Sequence, residues 1–186
     1  YRVAKDIEDR IEYFISKGMS DQEAELKGVE DFAVECSLIK VGASEDIQNC
    51  ADEGIQIFGG MGFSADTPME SAWRDARIGR IYEGTNEINR MLSVGMLLKK
   101  GMKGQIDLMA AVMQAASSIN NNEEEINGDE LIEEQKLVYK FKQIFLVLLG
   151  NCVQKYGVKL ENHQQILLCL SDILIETYFS ESGLLR

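Results

Sequence analysis

Residues 54–90 read GIQIFGGMGFSADTPMESAWRDARIGRIYEGTNEINR. Gly59 and Gly60 stop a helix, and a glycine-rich connector follows, closed by Gly62. Thr67-Pro68-Met69-Glu70 starts the next helix: Thr67 is an N-cap, Pro68 suits the first helical position, and Glu70 completes a capping box. That helix carries Arg74-Asp75-Ala76-Arg77, and Ile81-Tyr82-Glu83-Gly84 forms a short link to a third helix capped by Thr85. Helices joined by short turns make this an all-α chain, a helical bundle. Glu83 sits on a link that Gly84 loosens, directly ahead of a helix N-terminus. A carboxylate on such a turn is positioned rather than merely solvated.

Working outward, Val3, Ile7, Ile11 and Phe14 share a face, so residues 1–17 form an amphipathic helix stopped at Gly18. Ser20 with Glu23 is a second capping box. It opens one long helix with apolar positions at Leu26, Val29, Ala33, Cys36, Val41, Ala43, Ile47, Ala51 and Ile55, ~55 Å in length. Gly42 and Gly54 inside it cost roughly 1 kcal/mol each relative to alanine. From Thr85 a helix runs to about Lys100, with Ile88, Met91, Leu92, Gly95, Met96 and Leu98 available for packing. Gly101 and Gly104 break it, and residues 105–119 give one more. Residues 120–129 are acidic and poor in apolar side chains, the pattern of an exposed linker. Two further helices follow, over 130–156 up to Gly157 and over 161–180, the second with Ile166, Leu167, Leu170, Ile173, Leu174 and Tyr178 on its apolar side. The reading is thus a helical domain over 1–119 and a helical extension over 130–186.

Composition narrows the function. A formal net charge of −12 over 186 residues argues against nucleic acid, which needs a basic footprint. It also works against attraction to an anionic membrane, and the apolar run Ile144–Leu149 is far too short to span one. Cys36, Cys50, Cys152 and Cys169 form no CxxC pair and are expected as buried reduced thiols of an intracellular protein. With His163 the one histidine, no metal site is expected, and His163 itself is read as a surface residue. Methionines 91, 96, 102, 109 and 113 are read as core filler. The chain begins at Tyr1 without Met and reads as a piece of a longer protein, so localisation is not legible at its start.

Three motifs in order, Gln56-Ile57-Phe58-Gly59-Gly60-Met61-Gly62-Phe63, then Arg74-Asp75-Ala76-Arg77-Ile78, then Tyr82-Glu83-Gly84-Thr85-Asn86, resemble the C-terminal helical domain of the acyl-CoA dehydrogenase family. The resemblance covers residues 1–100 well. Beyond them it is looser and is similar to the extra helical region of the very-long-chain branch.

The resemblance implies an FAD-dependent oxidoreductase of fatty-acid β-oxidation that α,β-dehydrogenates long-chain acyl-CoA thioesters and passes electrons to an electron-transfer flavoprotein. Glu83 matches the family's catalytic base, which removes the α-proton while the β-hydride passes to the flavin. The backbone N–H of that glutamate helps to polarise the thioester carbonyl. Tyr82 and Gly84 match substrate-binding positions. Gln56, Gly59 and Gly60 match positions on the adenosine and pyrophosphate part of an FAD held mainly by a neighbouring subunit, where glycines let backbone N–H groups approach phosphates. Thr85 and Glu87 match positions on the flavin side. Arg74, Asp75, Arg77 and Arg80 are read as a structural ion-pair network. The extension implies a homo-oligomer, a dimer favoured over a tetramer, with membrane contact that the chain's acidity weakens. A bacterial source would place the protein in the cytoplasm and a eukaryotic one on the mitochondrial matrix side. Two other readings stand beside this one: a parent acyl-CoA oxidase, or a fragment serving only as a helical oligomerisation and docking module. The chain alone is expected to be inactive.

Overall fold

The computed structural model describes residues 1–118 and 131–185, all helices and turns, with no strand among them. The acidic stretch read at 120–129 lies outside the described residues. The first helix, α1 (Arg2–Ser16), ends before Gly18, which turns the chain at φ +87°. α2 (Asp21–Asp31) packs back on α1 and comes close to it at Gly28, where a Cβ would lie 2.5 Å from Ile11.

The single long helix expected from Ser20 is in fact two. The chain breaks at Phe32 (φ −109°, ψ 22°), and α3 runs over Ala33–Phe58. No glycine or proline marks the break, and its partners are tertiary. Arg10 of α1 lies 5.8 Å over the Phe32 ring and pairs with Asp31 at 3.6 Å, while Lys100 donates to the Asp31 carbonyl. These contacts keep α2 with α1 while α3 enters the core.

After a short α4 (Gly60–Phe63), α5 (Pro68–Ile78) and α6 (Asn86–Met102) both pack on α3. α7 (Leu108–Ser118) lies on α8 (Ile132–Tyr156). A 3-10 turn over Gly157–Asn162 then leads to α9 (Gln164–Leu184), which returns across α8, α6 and α3. Val34, Leu38 and Val41 of α3 bury against Ile175 of α9. Gly42 makes this approach possible: a Cβ there would sit 2.6 Å from the Phe179 ring. A glycine that costs helix stability in isolation is what lets α3 and α9 touch. A second cluster joins Val94 of α6 to Phe145, Leu149, Leu160, Leu167 and Leu170, each of the larger side chains contributing about 1.5–3 kcal/mol by burial. Residues on both sides of the acidic stretch therefore share one core.

Three expectations need correction. Met102, Met109 and Met113 are 80%, 56% and 66% exposed, so only Met91 and Met96 of the five methionines pack against the core. On α6, Ile88 and Leu92 face outward while Asn86, Ser93 and Val94 are fully buried. Periodicity scores apolar residues, and here the inward stripe is partly polar because its partners are polar: Ser93 Oγ lies 3.0 Å from Ser171 Oγ. Among the cysteines, Cys50 and Cys169 are exposed and Cys36 and Cys152 only partly buried, although all four are free thiols. Burial pushes the Cys36 thiol pKa up. His163 is exposed, as expected, at the start of α9, its ring 4.1 Å from that of Tyr156.

Candidate active site at the Glu83 turn

Between α5 and α6 the backbone takes an unusual path. Ile81 and Tyr82 both donate their N–H groups back to the Ile78 carbonyl, at 2.9 and 3.2 Å, closing the end of α5. Glu83 then sits at φ +55° and Gly84 at φ +83°. The left-handed region suits glycine but costs a residue with a side chain about 1–2 kcal/mol, so neighbours must hold Glu83 there. Lys40 of α3 donates to the Gly84 carbonyl at 2.7 Å and to Asn86 Oδ1 at 2.8 Å. Asn89 donates to the carbonyls of Gly84 at 2.9 Å and Thr85 at 3.1 Å. The Asn86 N–H reaches the Arg80 carbonyl at 3.1 Å, and its fully buried amide donates to Ser44 at 2.9 Å and Glu45 at 3.0 Å. Thr85 caps α6 as expected, its hydroxyl oxygen accepting the Ile88 N–H at 3.3 Å.

Charge steadies the same region. Arg90 grips Glu45 with two hydrogen bonds of 2.7 Å and reaches Asp172 at 2.6 Å, tying α6 to α3 and α9. The Arg90 bonds hold the Glu45 carboxyl below the usual range, and Glu45 in turn raises Arg90. Arg80 contributes to the group at 3.8 Å from Glu45. The Glu87 carboxyl is held below the usual carboxylate range by its own backbone N–H and then by the Thr85 hydroxyl. Glu83 is left with an exposed side chain at the rim of a cleft of about 220 Å³, lined by Lys40, Ser44, Ile47, Asp75 and Tyr82 with Glu83 itself. Among the described residues the Glu83 N–H has no hydrogen-bond acceptor.

The glycine turn after α3 is built differently. Gln56 is exposed on the last turn, and its carbonyl takes the Gly59 N–H at 3.2 Å. Gly59 lies at φ +59°, and Gly60 opens α4. A Cβ on either would meet nothing within 4 Å. Gly62 is the opposite case: a Cβ would lie 2.6 Å from the Ile55 carbonyl oxygen, so its role is packing. Gln56 is sixteen residues past Lys40 on α3, ~24 Å along the axis. The structure thus gathers Tyr82, Glu83, Gly84, Thr85 and Glu87 at one turn and leaves Gln56, Gly59 and Gly60 at the far end of α3.

Two sequence readings change here. The Thr67 side chain does not cap α5; its hydroxyl donates to the Met61 carbonyl at 2.6 Å and fastens the glycine connector instead. The arginine network reduces to Arg74 with Glu70 at 3.3 Å and Arg80 with Glu45; among the described residues Asp75 and Arg77 have no ion pair. Sequence reasoning also passed over Lys40, Asn86 and Asn89 as supports of the Glu83 turn. Asn86 stood inside the third motif, but nothing local marks Lys40, because its partners lie 44 and 46 residues away.

Residues 13–97 match the family described as Acyl-CoA dehydrogenase, C-terminal domain, and residues 140–186 match a second family of the same description. The chain belongs to the acyl-CoA dehydrogenase family. Over its whole length it is 37% identical to a Bacillus subtilis (strain 168) protein named "Probable acyl-CoA dehydrogenase", of which it covers 32%. The crystal structure of an acyl-CoA dehydrogenase complexed with FAD from Bacillus anthracis superimposes with a TM-score of 0.93 at 38% identity, over 100% of this chain and 32% of that one. The chain therefore spans about a third of the length of these relatives. The human very long-chain specific enzyme is 39% identical over 46% of this chain and 12% of its own length. The human short-chain specific enzyme is 46% identical over 37% of this chain and 16% of its own length. Membership of the very-long-chain branch is not singled out. No helix among the described residues is long and apolar enough to cross a membrane.

Proposed function

We propose that this chain is the C-terminal part of an FAD-dependent acyl-CoA dehydrogenase in which Glu83 is the catalytic base. The observation that carries the reading is a glutamate with an exposed carboxylate, kept at φ +55° by hydrogen bonds from two neighbouring helices, at the rim of a cleft. Strain of this kind persists where the surroundings impose it, and a base must be held in place to act.

The residues present fit FAD. Gln56 offers an exposed amide, and Gly59 and Gly60 offer backbone with no side chain to keep a phosphate away. Gln56, Gly59 and Gly60 would hold the adenosine and pyrophosphate side, and Thr85 with Glu87 would meet the flavin side. Their separation along α3 supports service to two different cofactors, one belonging to a neighbouring subunit of a homodimer. Bound FAD supplies the acceptor for the hydride that leaves the β-carbon. The chain's own part is the proton. Glu83 takes it from the α-carbon, so that the C–H electrons form the new double bond. The Glu83 N–H donates to the thioester oxygen, where negative charge gathers as the proton leaves. Tyr82, 55% exposed beside Glu83, lines the acyl side, and Gly84 keeps the backbone free of side-chain bulk near the substrate.

The substrate class is an acyl-CoA thioester, and the electron acceptor is an electron-transfer flavoprotein. The chain alone would bind FAD negligibly, since it holds only part of each proposed cofactor site. The test is Glu83→Gln in the full flavoenzyme, which keeps shape and hydrogen bonding but cannot accept the proton. Flavin content and acyl-CoA binding should be unchanged, and stopped-flow bleaching of the flavin by acyl-CoA should slow by roughly 10²–10⁴-fold. Bleaching at the wild-type rate would place the base elsewhere.

A further inference from the structure

We propose that Lys40 is a positioning residue for Glu83: by bridging the Gly84 carbonyl and the Asn86 side chain it locks the base in its left-handed conformation. This rests on the reading of Glu83 as the base.

Three observations lead to it. The first is the geometry. The Lys40 ammonium bonds to both a backbone carbonyl on the Glu83–Gly84 turn, at 2.7 Å, and a fully buried asparagine, at 2.8 Å. The Gly84 carbonyl belongs to the peptide after the left-handed pair, so fixing its direction fixes the turn. The second is electrostatic. Asn86 opens α6, whose N-terminal end carries partial positive charge. A lysine beside a helix N-terminus is unfavourable unless strong acceptors compensate, and the two oxygens are those acceptors. Its placement therefore follows from the turn rather than from helix stability. The third is rigidity. Lys40 projects from α3, whose neighbouring residues Leu38 and Val41 are 2% and 0% exposed. Ser44, one turn on, donates to the same Asn86 Oδ1 at 3.2 Å. The clamp is thus rooted in the stretch of α3 that enters the core.

Asn89 holds the same carbonyl from α6, but it moves with the helix that the turn leads into. Among the described residues, Lys40 alone of the donors to Gly84 refers the turn to α3. Removing it leaves Glu83 with its side chain intact and its aim relaxed. A misplacement of about 1 Å at a reacting group can cost ~10²-fold in rate.

The experiment uses the full flavoenzyme with Lys40→Met, which keeps length without donors, and Lys40→Arg, which restores donors. Each is made alone and together with Glu83→Gln. Lys40→Met should slow flavin bleaching at saturating acyl-CoA by roughly 10–100-fold. Flavin content and the acyl-CoA dissociation constant should stay at wild-type values, and Lys40→Arg should recover most of the rate. In the Glu83→Gln background Lys40→Met should slow bleaching by clearly less than in the wild-type background, because the carboxylate it aims is already gone and only the aim of the Glu83 N–H is left to lose. Wild-type bleaching by Lys40→Met, or equal slowing with and without the Glu83 carboxylate, would overturn the proposal. If instead Glu83→Gln bleaches at the wild-type rate, the base reading itself has failed, which the single variants separate from a failure of Lys40. Should Lys40→Met not accumulate as a flavoprotein, Lys40→Leu, likewise without donors, against Lys40→Arg carries the same comparison, and equal rates in those two would overturn it.

Discussion

Two turns interrupt the helices around α3, and each pairs a positive-φ glycine with a motif residue, yet they are supported in opposite ways. At Glu83–Gly84 the backbone is gripped by Lys40 and Asn89, and the Asn86 amide beneath it is fully buried. At Gly59–Gly60 no atom would touch a Cβ on either glycine. The flanking Ile57, Phe58, Met61 and Phe63 are exposed. The lesson is that one turn is finished within this chain and the other is not. A group that must be aimed to within a fraction of an ångström is fixed by its own fold. In the function proposed above, the open turn is the one that would meet a ligand and another polypeptide, and its apolar rim is uncovered in a chain about a third the length of the two Bacillus relatives.

Beyond the two rate tests already described, substitutions that probe stability sharpen this contrast. The largest loss is expected for Asn86→Ala. It takes one hydrogen bond each from the Lys40 ammonium, Ser44 and Glu45 and empties a fully buried side-chain position between α3 and α6, and thermal or urea unfolding should show about 3 kcal/mol of destabilisation. A loss under about 0.5 kcal/mol would mean that the Glu83 turn is not held from below.

Gly84→Ala should be milder in stability but severe in rate. The new Cβ would stand in left-handed backbone, 3.1 Å from Asn89 Nδ2. Unfolding should show about 1–2 kcal/mol lost. Flavin bleaching should fall with it, because Glu83 shares the strained turn. Full retention of rate would separate the base from the conformation of its neighbour.

The smallest effect on stability is expected for Gly60→Ala. Gly60 has no positive φ, lies at the first position of a helical turn and has open space where the methyl would go. The unfolding free energy should change by less than about 0.5 kcal/mol. Retained flavin per protein, read from visible absorbance after dialysis, should nevertheless drop. If Gly60→Ala destabilised as much as Gly84→Ala, the two turns would not differ as described.

Much of the site was legible before any coordinates, since its motifs are local. Thr85 as a cap, the non-helical link over residues 81–84 and the stop at Gly59 depend on a residue and its near neighbours, and all appear where the sequence puts them. The same locality explains the all-α class: periodic apolar positions, a single proline and turn glycines agree with one another at every step. What the sequence could not reveal involves partners far along the chain. The break at Phe32 depends on Arg10 and Lys100, the inward face of α6 on Ser171 and Asp172, and Gly42 on Phe179. Lys40 is the sharpest case. As a residue in a helix it is an ordinary solvated cation. It becomes the clamp on Glu83 only because α3 and α6 pack side by side, bringing its ammonium to a carbonyl 44 residues away. Helix type is set by neighbours within a few residues, whereas the conformation of the turn that carries Glu83 is set by distant groups that only packing brings into reach.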